Sequence, residues 1–151
     1  MMKKLILFPF FILCTTLLFA QIQNPVAWTA TSKKIGDKTY EVRLTANMQK
    51  GWHIYSQTTP EGGPVPTQIT FTKNPLLILK GKAREIGKMV QYNEPLFGVD
   101  VKQFSDKVDF VQIVNLKTNV KTSVDMSVEF MVCNDKQCLP PATKKFTVAL
   151  K

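Results

Sequence analysis

Two cysteines, Cys133 and Cys138, stand in the run Phe-Met-Val-Cys-Asn-Asp-Lys-Gln-Cys-Leu-Pro-Pro over residues 130 to 141. A strand-like stretch delivers the first thiol, four polar residues turn the chain, and Pro140 with Pro141 fixes a rigid exit after the second. Such a pair is either a structural staple or a redox couple. Bridging them closes a small loop and restricts the unfolded chain by only about 2 to 3 kcal/mol in the entropic picture. Accessible disulfides, by contrast, tend to be the labile or catalytic ones. Thiolate supply rises near positive charge, so Lys136 inside the loop and Lys144 and Lys145 after it favour reactivity, while Asp135 opposes it. Zinc would need four ligands, and the pair with the lone His53 offers at most three. His53 lies on a separate aromatic stretch, which suits packing better than service as the base of a Cys-His nucleophile.

The third cysteine, Cys14, belongs to a leader. Lys3 and Lys4 precede an apolar run from Leu5 to about Phe19, and a small residue, Ala20, stands before polar Gln21. That is the build of an export signal, predicted to be cleaved after residue 20. The run is roughly 15 residues, short for a bilayer that needs about 20. Lipid attachment at Cys14 would require a small residue before it, and Leu13 is not small. The expectation is one domain over residues 21–151, exported to the periplasm, where disulfides form and persist.

The formal charge of +9 falls by two when Lys3 and Lys4 leave with the signal. The remaining lysines are spread along the chain without a tight run, which predicts a solvated basic surface and no nucleic-acid partner. Steering of acidic partners, or binding to polyanions or an envelope surface, stays open.

Alternation supplies the frame. Tyr40, Val42, Leu44 and Ala46 share one face against Glu41, Arg43 and Thr45, and Val124, Met126, Val128, Phe130 and Val132 do the same against Asp125, Ser127 and Glu129. Further strands are expected at Val26–Ala30, Trp52–Tyr55, Gln68–Thr72, Val108–Val114 and Lys145–Leu150, separated by Gly-, Pro- and Asn-rich turns. Seven or so short strands without a helical period predict an all-β antiparallel sandwich. Val132 faces inward with Phe130, so Cys133 points the other way and is expected to be exposed or covered only by a loop, unless a bulge reverses the phase.

The segment from Cys133 through Lys145 resembles the cysteine hairpin of the amino-terminal periplasmic domain of the thiol:disulfide interchange protein DsbD, also known as the disulfide bond corrector family. Gly51-Trp52-His53-Ile54-Tyr55-Ser56-Gln57 resembles the aromatic strand beside those cysteines, and Tyr92-Asn93-Glu94-Pro95-Leu96-Phe97-Gly98 the cap loop over them. The resemblance runs in order from about residue 24 to 151. It implies an immunoglobulin-like sandwich that needs no cofactor or metal. It implies a dithiol–disulfide interchange component, a protein-disulfide reductase in effect, that takes reducing equivalents from a thioredoxin-fold donor. These pass to oxidised periplasmic clients such as isomerases or cytochrome maturation factors. Cys133 and Cys138 would be the redox pair, with Cys138 forming the mixed disulfide. Leu96 and Phe97 would shield the sulfurs, His53 and Tyr55 would line the pocket, and Glu94 would tune thiol ionisation. Leu96 and Phe97 would act as a lid with Gly98 as its hinge, and the alternative is that they are ordinary core residues. The loop between the cysteines is one residue shorter than in the best-known members. Pro95 stands where the family has a second acidic residue. The whole DsbD protein continues into membrane and thioredoxin-like domains, so a separate membrane electron transporter is an implied partner, and the domain itself is expected to be monomeric. The competing reading is a secreted binding or scaffold sandwich with an inert disulfide.

Overall fold

The computed structural model describes residues 23–94 and 98–151. Positions 1 to 22, where the export signal and Cys14 are predicted, and positions 95 to 97, which include the predicted shielding residues Leu96 and Phe97, lie outside the described residues.

Nine strands form: β1 (Val26–Gly36), β2 (Thr39–Met48), β3 (His53–Tyr55), β4 (Gln68–Phe71), β5 (Leu77–Glu94), β6 (Val99–Leu116), β7 (Thr122–Phe130), β8 (Val132–Cys133) and β9 (Ala142–Leu150). Among the described residues there is no helix, and all pairings between these strands are antiparallel. The larger sheet runs β1-β2-β6-β3-β8, with β5 on the other side of β6, and the smaller runs β4-β7-β9. The two pack face to face as an immunoglobulin-like β-sandwich.

The period-two residues make the core. Leu44, Ala46, Ile54, Phe104, Val108 and Phe110 of the larger sheet meet Val128 and Phe130 of the smaller, with Trp28 packed on Phe130 and Phe110 at ring distances of 5.0 and 6.0 Å. Trp52 is in that cluster and 8% exposed. Burying each large side chain contributes about 1.5 to 3 kcal/mol, so this layer is what fixes the strands that carry the cysteines.

Two expectations about strands are corrected. The run 124–132 is not one strand: β7 ends at Phe130 in the smaller sheet, and after Met131 the chain crosses to pair Val132 with Ile54 in the larger sheet. Phe130 and Val132 still enter the same core cluster, so the inward phase survives the crossing. The second correction is β5, an 18-residue strand where none was expected. Most of its residues are exposed, and a strand buried on neither face shows no alternation to read.

Candidate functional site

Cys133 and Cys138 are joined by a disulfide, with their Cα atoms 4.0 Å apart. The local chain explains why two neighbours in sequence can meet. The Leu139 amide donates to the Val132 carbonyl and the Asn134 amide to the Gln137 carbonyl, each at 2.9 Å, so positions 133 and 138 form the narrow, non-hydrogen-bonded pair between those two rungs. Asn134 closes the turn, its Oδ1 accepting from the amides of Lys136 and Gln137 at 2.9 Å each.

The register then brings the aromatic strand alongside. His53 pairs with Cys133 on one side and with Ser105 on the other, and Ile54 pairs with Val132. Ile54 and Val132 enter the core, so His53, Tyr55 and Cys133 share the outer face of the larger sheet. Cys133 clusters there with Tyr55 and Val101, flanked by Val99 and Met131. It is 2% exposed, whereas Cys138 is exposed. The predicted outward phase of Cys133 is right. Its expected exposure, or cover by a loop alone, is corrected: Tyr55 of β3 and Val101 of β6 wall it in.

His53 Nε2 and the Tyr55 hydroxyl share a hydrogen bond of 3.2 Å, with the rings edge to face. Burial holds the His53 imidazole below the usual histidine range, with the negative charge of Asp135 acting against it. Burial also pushes the Tyr55 phenol up to about 12, helped by Tyr92 and Glu94. Burial raises Tyr92 as well, followed by the charge of Glu94, a hydrogen bond to it and the charge of Asp135. Those couplings place Tyr92 and Glu94 of the β5 end, Tyr55 of β3 and Asp135 of the cysteine turn around one patch. At neutral pH the patch offers a protonated phenol and a neutral imidazole next to the buried sulfur.

Of the residues expected at the site, His53, Tyr55, Glu94, Cys133 and Cys138 are thus brought together. The Tyr92-to-Glu94 part of the predicted cap loop is strand: Tyr92, Asn93 and Glu94 pair with Val101, Asp100 and Val99. Gly98 follows at a φ of 66°, its amide donating to the Glu94 carbonyl at 2.8 Å.

The family described as thiol:disulfide interchange protein DsbD, N-terminal, matches residues 22–150. The chain belongs to this family. No curated protein matches the chain. The reduced DsbD N-terminal domain of Neisseria meningitidis is similar at 14% identity and a TM-score of 0.51, covering 82% of this chain and 85% of that one, which shows the shared fold. The N-terminal periplasmic domain of ScsB from Proteus mirabilis is 16% identical at a TM-score of 0.47, over 83% of this chain and 44% of that one. A DsbD N-terminal domain from Neisseria meningitidis, solved in complex with the PilB N-terminal domain, is 12% identical at a TM-score of 0.48, over 80% of each chain. Membership in the DsbD N-terminal family and the disulfide together support thiol–disulfide interchange.

Within this DsbD-type site, sequence reasoning named Tyr55 for the pocket and missed Val101. Val101 and Tyr92 are the residues that meet across β5 and β6 beside the sulfurs, and the signal for Val101 was there in the alternation of Val99 and Val101 with Asp100 and Lys102. The proximity of Asp135 to His53 could not be read, because it depends on β8 docking against β3.

Proposed function

We propose that this domain carries reducing equivalents between a thioredoxin-fold donor and oxidised client proteins in the periplasm, with residues 1–20 as its cleaved export signal and residues 21–151 as the working unit. The redox pair is Cys133 and Cys138, and Cys138 is the sulfur that partners touch. The observation that carries this reading is the unequal burial of the two sulfur-bearing residues: Cys138 is exposed and Cys133 is 2% exposed.

The chemistry follows from access. A donor thiolate attacks Sγ of Cys138, a bond forms between the two proteins, and the Cys133–Cys138 bond breaks with its electron pair left on Cys133, which takes up a proton. The donor's second thiol then attacks the donor's own bridging sulfur, so Cys138 leaves as a thiolate, the donor ends as a disulfide and this domain as a dithiol. On the outward leg the Cys138 thiolate attacks a client disulfide, and Cys133 resolves the mixed disulfide by attacking Cys138, which frees the client as a dithiol. The apolar wall of Tyr55 and Val101 disfavours a lasting charge on Cys133 and so favours the closed bond or the protonated thiol. Tyr55 and His53 are polar groups on that face, and their role is to give the departing Cys133 sulfur hydrogen-bonding neighbours. Glu94 belongs to the rim of the same patch through Tyr55 and Tyr92.

Reacting the reduced Cys133→Ala and Cys138→Ala domains with a thioredoxin that lacks its resolving cysteine, activated as a mixed disulfide with thionitrobenzoate, tests the assignment. Peptide mapping should find Cys133→Ala captured through Cys138, while Cys138→Ala is not captured. Capture through Cys133 at equal yield would refute it.

A further inference from the structure

The end of the sandwich away from the disulfide exposes apolar side chains among lysines. Strand β6 runs from the site to this end, and Gln103 and Leu116 are separated by roughly 40 Å of extended chain. Three turns meet here. The Leu116 amide donates to the Lys38 carbonyl at 2.7 Å and the Lys117 amide to the Leu76 carbonyl at 3.0 Å, which ties the β1–β2, β4–β5 and β6–β7 turns into one pole.

At or beside each turn an apolar side chain is exposed to solvent. Ile35 is the extra residue where the β1–β2 register shifts between Lys34 and Gly36, and it is 50% exposed. Val120 is 42% exposed and Leu76 is 37% exposed. Lysines stand beside all three: Lys33, Lys34 and Lys38 around Ile35, Lys73 before Leu76, and Lys117 and Lys121 around Val120. Asp37 is the one acidic residue in the turns spanning 33–38, 72–77 and 116–122. Among the described residues none of these lysines is ion-paired. Between two of the turns lies a cavity of about 430 Å³, with Tyr40, Leu116 and Leu150 lining it and Lys34, Lys38, Lys121 and Lys151 around it.

We propose that this pole docks on the surface of an anionic lipid bilayer. Apolar residues exposed at three places around one pole can together enter the headgroup region while the flanking lysines keep their ammonium groups among lipid phosphates. A second copy of the chain does not fit, because it would bring the same positive charge against itself. Free phosphate would leave the apolar tips in water, and the exposed side chains of the pole include no aromatic ring on which a nucleic-acid base could stack. Docking in this orientation leaves the Cys138 end pointing away from the membrane and open to soluble partners. The proposal stands on the pole alone and does not depend on the redox reading.

Sedimentation of residues 21–151 with vesicles tests it. The protein should bind vesicles of mixed phosphatidylglycerol and phosphatidylcholine and not vesicles of phosphatidylcholine alone, and salt at about 0.5 M should release it. Lys34→Glu with Lys121→Glu should weaken binding on the order of a hundredfold. Ile35→Ser with Val120→Ser should weaken it roughly tenfold at unchanged charge. Lys82→Glu with Lys88→Glu, an equal charge change on exposed β5, should leave most of the binding intact. Circular dichroism on every variant separates lost binding from lost fold. Absence of binding to the anionic vesicles, equal loss in the β5 control, or binding to a soluble polyanion such as heparin that matches the vesicles and ignores Ile35 and Val120 would each overturn the proposal.

Discussion

Two cysteines close in sequence differ in what surrounds them, and under the proposed function that difference decides which of them a partner reaches. Cys133 is walled by Tyr55 and Val101, whereas Cys138 stands on the open strand of the hairpin. With the bond removed, alkylation of Cys138 in Cys133→Ala should be at least about tenfold faster than alkylation of Cys133 in Cys138→Ala. A further Tyr55→Ala change should bring the two rates together. Mass spectrometry of the alkylated peptides reads this, and equal starting rates would contradict the wall. His53 predicts a pH effect. Its folded form gives up the proton more readily than the unfolded one, so the unfolded chain binds a proton first as pH drops below the ordinary histidine value of 6.5. Stability is therefore unaffected by this group above that pH and declines below it, until the folded imidazole also titrates. Urea midpoints at pH 7.5 and 5.5 should separate less in His53→Phe than in the parent; equal separations would show that the buried imidazole contributes nothing. The cysteine hairpin was legible from residue types and spacing, and the aromatic strand beside it only from the family resemblance. Asp135 was legible only as a nearby charge, because its closeness to His53 is made by strands distant in sequence.

At the scale of elements, alternation identified β2, β7 and the other half-buried strands, since one face of each lies in the core. It failed for β5, whose long exposed run lacks a buried face, and it merged β7 with β8, because the inward phase continues while the chain changes sheets at Met131. Strand β5 nevertheless delivers Tyr92 and Glu94 to the site, and its register against β6 slips between Gly87 and Met89. A Cβ on Gly87 would come within 2.9 Å of the Lys107 carbonyl oxygen and 3.3 Å of the Val108 Cα, both backbone atoms that cannot swing aside. Gly87→Ala should therefore cost about 1 to 3 kcal/mol in denaturant unfolding. A neutral result would mean that the slip absorbs the extra methyl group. In the cysteine turn, Asn134→Ala removes the acceptor for two amides and should cost about 1 kcal/mol. The same variant should re-form its disulfide more slowly after reduction, measurable by quenched thiol labelling.

For the whole molecule, the sandwich has two unlike ends. One end exposes Cys138 beside a polar, partly buried patch, and the other gathers lysines and exposed apolar side chains. The fold class was legible because two inward faces of alternating residues require a two-sheet core. The arrangement of the ends was not, because each is assembled from turns far apart along the chain. The central claim concerns the bond itself: it opens and closes in the folded domain. Equilibrating residues 21–151 with thiol–disulfide buffers of known potential, while circular dichroism confirms the fold, measures this most directly. A reduction potential above about −300 mV, with both redox forms folded, is the predicted result. A bond that stays closed until the domain unfolds would contradict it.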